Sequence, residues 1–188
     1  MRKLESSLNT VLKDKNVKSI MLELNTESYF ETNIKTIKIL QKKGFGGVVY
    51  VSIQRPFKNI SSTLKKQRIS IKNMLFIDVA SAVSNEAREK YKECVHISPK
   101  LDVDELIKAI YASAEKIKGK KFIFIDSLTT FALYKPISET LRFTEFLMQL
   151  VKGEKNTVLI LNVAKDLSQK KFIQNVIVHA DKIIEVKT

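Results

Sequence analysis

Six short runs of consecutive apolar residues constrain this chain more than any other feature: Ser19–Leu24, Gly47–Ile53, Met74–Val79, Lys121–Asp126, Thr157–Asn162 and Lys182–Val186. They are rich in β-branched and aromatic residues. A strand with one wet face alternates apolar and polar positions, whereas a strand covered on both faces is apolar at successive positions. Strands of the second kind belong to parallel sheets. Val95–Ile97 is a short further strand candidate. Amphipathic segments separate the runs, so the expected fold is an α/β, three-layer α/β/α sandwich around a mainly parallel sheet.

The helical segments carry their own start and stop signals. Ser28–Lys43 places Tyr29, Ile34, Ile37 and Leu40 at helical spacing, and Gly44 follows as a C-cap. Pro56–Gln67 opens with proline at a first-turn position and carries Phe57, Ile60 and Leu64. Asp102–Lys118 and Ser138–Lys152 are closed by Gly119 and Gly153, and Ser168–His179 is a last helix. An N-terminal helix covers about Arg2–Leu12, with Leu4, Leu8, Val11 and Leu12 on one side. Ser81–Glu93 is the least regular stretch and reads as a mobile loop or irregular helix. The chain is expected to form one domain, with the N-terminal helix in 1–16 and the core in 17–188.

Composition excludes several classes. A chain of 188 residues buries roughly 70% of its unfolded surface and needs no disulfide staples, and Cys94 is in any case alone. No apolar run approaches the ~18 residues of a membrane span, and the opening MRKLESSLNTVLKDK lacks a signal-peptide core. A cytoplasmic protein without membrane association is expected. Thirty-three basic residues against 20 acidic ones give a net charge of +13. Twenty-eight of the basic residues are lysine, which suits solvated helix faces better than bidentate phosphate or base recognition. The lysines nevertheless cluster, and Lys38, Lys42, Lys43, Lys65, Lys66 and Arg68 form a candidate polyanion-binding set.

Three segments carry a family resemblance. In KKFIFIDSLTTFALY, Lys120–Tyr134, an apolar strand ends in Asp126 and continues through Ser127, Leu128 and Thr129. It resembles the second phosphate-site strand of RecA-like ATPases, above all the KaiC-like branch. In that family the strand-end Asp helps hold Mg²⁺ and the following Ser/Thr segment lines the site. VVYVSIQRPF, Val48–Phe57, resembles the strand after the first crossover helix, and HADKIIEVK, from His179, resembles a late strand of the same proteins. The resemblance covers most of Val17–Thr188 and implies a RecA-like sheet.

The resemblance also implies a phosphate-binding loop after the first strand, G-x-x-x-x-G-K-[ST]. Backbone N–H groups must wrap the phosphates there, glycine permits the curvature, and lysine neutralises charge. The equivalent stretch, ELNTESYFETNIKT from Glu23 to Thr36, has no glycine and adds Glu27 and Glu31. Lys35–Thr36 stands where a relic of the Lys-Thr pair would be. Tyr29–Ile34 resembles the corresponding stretch of archaeal paralogues with a lost loop. A second departure follows the next strand, where the KaiC-like enzymes carry a water-activating Glu. Gln54–Arg55–Pro56 stands there, and neither an amide nor a guanidinium is a general base. The degenerate nucleotide-site region is Asn25, Glu27, Lys35, Thr36, Arg55, Asp126, Ser127, Thr129 and Asn162, with Arg55 expected to pair with Glu27 or Asp126.

No other motif names a reaction. His96 and His179 read as structural residues. Cys94 and His96 share a strand face at i, i+2, but no third metal ligand is evident. Ser127 lacks a nucleophile elbow. Asp78 and Asp126 both end strands and read either as turn caps or as a carboxylate pair at the sheet's carboxyl edge. The expected protein is therefore a non-enzymatic pseudo-ATPase domain, without cofactor or metal. Its expected role is regulatory or scaffolding, through a protein partner or self-association. Two further readings stay open: a nucleic-acid-binding protein using its Lys-rich surfaces, and a nucleotide or anion sensor that binds through Arg55 or Lys35 without hydrolysis.

Overall fold

A computed structural model of the chain describes residues 2–83, 90–98, 100–165 and 171–186. Seven strands follow one another as β1 (Ser19–Leu24), β2 (Gly47–Ser52), β3 (Met74–Asp78), β4 (Cys94–His96), β5 (Lys121–Asp126), β6 (Thr157–Ala164) and β7 (Lys182–Glu185). They form one sheet in the order β4-β3-β2-β5-β6-β1-β7. Every pairing is parallel.

Alternation along the buried strands builds two cores. Ile20, Leu22, Val48, Tyr50, Phe76, Phe122, Phe124 and Ile160 point to one face. Helices α1 (Arg2–Val11), α2 (Tyr29–Lys42) and α3 (Phe57–Lys66) cover it with Leu4 and Leu8, Ile34, Ile37 and Leu40, and Phe57, Ile60 and Leu64. Met21, Val49, Val51, Ile77, Ile123, Ile125, Leu159 and Leu161 point to the other face. There they meet α5 (Val103–Lys116), α6 (Leu128–Tyr134), α7 (Ile137–Gly153) and α8 (Lys171–His179). The short α4 (Ala80–Val83) follows β3. The sheet side of one core is thus rich in aromatics and that of the other aliphatic, and each buried Val, Leu, Ile or Phe contributes about 1.5–3 kcal/mol.

The expected elements are present with shifted ends. Pro56 is the N-cap of α3 rather than its first-turn residue, and Asp102 caps α5 by accepting from the N–H groups of Asp104 and Glu105. Gly153 is the last residue of α7, not the break after it. Gly44 does follow α2 as expected, at φ +86, where a side chain would be strained. The irregular stretch begins as α4, and its residues 84–89 lie outside the described residues, as do 166–170 ahead of α8. Among the described residues, no helix is long and apolar enough to cross a membrane.

The connections decide where a site can form. The chain leaves β1 and β2 toward the aromatic face, through α2 and α3. It leaves β5 and β6 toward the aliphatic face, through α6 and α8. Neighbouring strands therefore send their helices to opposite sides at two boundaries, β1/β6 and β2/β5. In open parallel sheets the crevice for a ligand opens at the carboxyl end of such boundaries.

A buried polar cluster at the carboxyl edge

The groups gathered at those boundaries are polar, yet almost all are buried. Asp126 ends β5 at 1% exposure, Ser127 and Asn162 are fully enclosed, and Thr129 lies buried in the first turn of α6. Tyr29 and Asn33, from the first turns of α2, and Tyr50, from β2, close over them. The Asp126–Ser127 peptide is cis.

Hydrogen bonds join five elements, β2 to β5, α2 to β6 and α6 to β6. The Tyr50 hydroxyl donates to Asp126 Oδ2. Asn162 Nδ2 donates to Asn33 Oδ1 at 2.7 Å, and Ala164 N donates to Thr129 Oγ1 at 3.3 Å. Ser127 caps α6 by accepting from Thr130 N, and its hydroxyl also meets Thr129 and Thr130. Gln54 Nε2 donates to Ser127 Oγ at 3.2 Å and to Thr130 Oγ1 at 2.8 Å.

Burial shifts the titrating groups. Desolvation lifts the Asp126 carboxyl above its ordinary value, although Tyr50, Tyr29 and Asn33 offer hydrogen bonds to its ionised form and the Arg55 charge favours it. Burial and the Asp126 charge push both Tyr29 and Tyr50 well above the usual phenol range, so they remain neutral donors. Tyr29 Oη and Asn33 Nδ2 lie near Asp126, though neither makes a hydrogen bond of ordinary geometry, and Asp126 Oδ1 and Asn162 Oδ1 likewise lack one.

The structure divides the residues expected at this site. Asp126, Ser127, Thr129 and Asn162 come together. Lys35 instead pairs with Glu31 at 2.6 Å along the surface of α2, and the buried Thr36 hydroxyl donates to Thr32 O within the same helix. Glu27 is exposed in a single 3₁₀ turn, Thr26–Ser28, that follows Asn25. Arg55 does not form the expected ion pair with Glu27 or Asp126. Its guanidinium lies 4.2 Å over the Phe30 ring, where a planar cation is attracted to the π-face. Asp78 and Asp126 do not form a pair either: each is registered with Ser52, so β2 runs between them. Asp78 is a cap, accepting from Phe57 N at 3.0 Å and Ser81 N at 2.9 Å.

Tyr29, Asn33 and Tyr50 were not among the expected site residues. A helical tyrosine and a strand tyrosine in apolar runs read as core. Only the placement of Asn33 on the buried side of an otherwise amphipathic α2 could have signalled a polar partner opposite.

No family model matches the sequence, and no curated protein is significantly similar to it. Solved structures do match. An uncharacterised protein from Pyrococcus horikoshii, crystallised in complex with an unknown peptide, superposes with a TM-score of 0.70 at 14% identity, covering 97% of this chain and 82% of its own. A KaiC-like protein from Pyrococcus horikoshii OT3 gives 0.57 at 14% identity over 90% of this chain and 72% of its own. The flagellar accessory protein FlaH from Methanocaldococcus jannaschii gives 0.55 at 14% identity over 89% and 70%. The chain has a RecA/KaiC-like fold.

Proposed function

We propose that this is a non-catalytic RecA/KaiC-like domain, a pseudo-ATPase that works as a regulatory or scaffolding module by binding another protein or another copy of itself. The observation that carries this reading is the buried cluster around Asp126. A carboxylate that helps hold Mg²⁺ beside a triphosphate must be ionised and reachable. Here Asp126 is enclosed by Tyr50 and the N-terminal turns of α2, and burial favours its protonated form. The residues that would form a phosphate cradle support the reading from the other side. The connection from β1 to α2 contains no glycine, and Lys35 is engaged by Glu31. These residues do not fit a bound nucleoside triphosphate. The peptide held by one structurally similar protein supports a protein-binding role.

Calorimetric titration with ATP and Mg²⁺ at physiological salt, with a parallel assay of phosphate release, tests this. The expected result is neither saturable heat nor turnover. Saturable heat that depends on Arg55 or Lys35, without phosphate release, would replace it with the nucleotide or anion sensor.

A second reading, nucleic-acid binding, rests on a specific contact. Lys38 Nζ donates to Gln67 Oε1 at 3.3 Å, which joins the C-terminal ends of α2 and α3. Lys38, Lys42, Lys43, Lys65, Lys66 and Arg68 thereby gather at one end of a layer. The same lysines also offset the negative ends of two helix dipoles. Affinity for single- or double-stranded nucleic acid that falls steeply with salt, and falls again in Lys65→Glu/Lys66→Glu, would favour this reading.

A further inference from the structure

We propose that Asp78, Cys94 and His96 form a binding site for a transition-metal ion of the zinc class at the β3–β4 edge of the sheet. Each of the three offers a ligand atom, and these atoms all lie within 4.8 Å of one another. The parallel register explains the convergence. His96 is registered with Asp78 and Cys94 with Phe76. Period-two alternation then sends Asp78, Cys94 and His96 to one face, while Val95 between them turns to the other and is 40% exposed. Sequence spacing supplied two of the ligands, and the third comes from the neighbouring strand.

The distances suit a small ion. Bonds of about 2.0–2.3 Å to nitrogen, oxygen and sulfur place the corners of a tetrahedron about 3.3–3.8 Å apart. His96 Nδ1 lies 3.7 Å from the nearer Asp78 oxygen, and with all three ligand atoms within 4.8 Å of one another an ion would draw them together by on the order of 1 Å. Asp78 is also braced as metal-ligating carboxylates are, by donors behind it. Phe57 N and Ser81 Oγ donate to Oδ2 at 3.0 and 2.6 Å, and Ser81 N donates to Oδ1 at 2.9 Å. Oδ2 thus accepts two hydrogen bonds and Oδ1 one, which leaves a lone-pair position for an ion on Oδ1.

The donor set selects the metal class. Thiolate and imidazole favour zinc and its borderline-soft neighbours over Mg²⁺ or Ca²⁺, which take oxygen ligands. Three protein ligands leave one coordination position open. A cation would take Cys94 as the thiolate, displacing its proton as the metal–sulfur bond forms. His96 is 16% exposed at its side chain, which gives an entry path from the sheet edge. The site is separate from the Asp126 cluster, because β2 runs between β3 and β5.

Cobalt titration of the untagged full chain tests the assignment. Cys94 is the chain's single cysteine, so any sulfur-to-cobalt charge-transfer band reports on this site alone. The expected result is one equivalent of Co²⁺ giving that near-ultraviolet band with the intense visible bands of tetrahedral cobalt, and displacement by Zn²⁺. Cys94→Ser should abolish the charge-transfer band. His96→Ala should weaken zinc binding by about tenfold or more, and His179→Gln should leave it unchanged. Saturating cobalt without the charge-transfer band in the wild-type chain would overturn the proposal, as would equal zinc affinity in wild type, Cys94→Ser and His96→Ala.

Discussion

Asn162 Nδ2 on β6 and Asn33 Oδ1 on α2 share a 2.7 Å hydrogen bond in the interior, between side chains that are both essentially inaccessible. The bond fastens the helix that follows β1 onto the carboxyl end of a central strand. Removing one partner strands the other in a place water does not reach, so Asn33→Ala and Asn162→Ala should each cost about 1–3 kcal/mol. The double variant should lose less than the sum, because the second substitution removes a group already unpaired. Urea unfolding of the four proteins in the cycle measures this. Strict additivity would mean that the pair is not a unit.

Asp126 should weaken the fold as pH rises. Its folded pKa is raised by burial above the ordinary 3.8, so between those two values the native state holds more of the proton than the unfolded chain. Stability therefore falls with increasing pH through that window. Asp126→Asn keeps an acceptor for Tyr50 and removes the titration. At about pH 7 the variant should equal or exceed the wild type in stability, and the difference should vanish toward about pH 4. A variant weaker at neutral pH by more than at acid pH would show that the ionised carboxylate is net favourable there.

Asp181 should behave with the opposite sign. Burial works to raise its pKa, but the N–H groups of Lys18 and Ser19 and the Ser19 hydroxyl outweigh that and hold it below the ordinary value. Its Oδ2 accepts all three, at 2.9, 2.8 and 2.9 Å, and so fastens the segment before β7 to the start of β1. The stabilisation is complete above about 3.8 and is lost as pH falls through the lower folded value. Because the group is largely exposed, solvent screening should hold the cost of Asp181→Ala to about 1 kcal/mol at neutral pH. Thermal unfolding of the two proteins should converge as the buffer is made acid, and a gap independent of pH would assign the effect to packing.

Much of the fold was legible because strands covered on both faces must be apolar at consecutive positions, as Val48–Val51 and Phe122–Ile125 are. The strand order was not, because a parallel sheet's order depends on which crossover passes over which strand. At the carboxyl edge, Asp126, Ser127, Thr129 and Asn162 were legible as polar residues at or just beyond strand ends. Lys35 and Thr36 were matched to the Lys-Thr pair of a loop motif, but they lie within the helix expected over Ser28–Lys43, and helical geometry sends Lys35 to Glu31 and the Thr36 hydroxyl to its own backbone. Tyr29, Asn33 and Tyr50 were hidden because their apolar bodies obey the core pattern and only their polar tips reach the cluster. Asp78 joined Cys94 and His96 only through the β3–β4 register, which no spacing within the chain reveals.

Gly47 opens β2 where the end of α5 passes over it, and a methyl group cannot fit between them. A Cβ at position 47 would lie 2.1 Å from Ile117 Cγ2 and 3.1 Å from Lys121 Cβ. Lys121 is held in place by the β2–β5 ladder, and its ammonium donates to Ala114 O and Ile117 O at the end of α5. The strand therefore cannot step aside without breaking that junction, and the strain must fall on Ile117. Gly47→Ala should cost about 1–3 kcal/mol by overpacking. Ile117→Ala alone should also destabilise, by loss of buried aliphatic surface, but it removes the colliding atom. Gly47→Ala introduced into that background should then be close to neutral, since alanine suits a strand better than glycine does. Chemical denaturation of the single and double variants reads the coupling directly. An unchanged cost of Gly47→Ala in the Ile117→Ala background would show that the backbone at Gly47, rather than the passage of α5, requires the glycine.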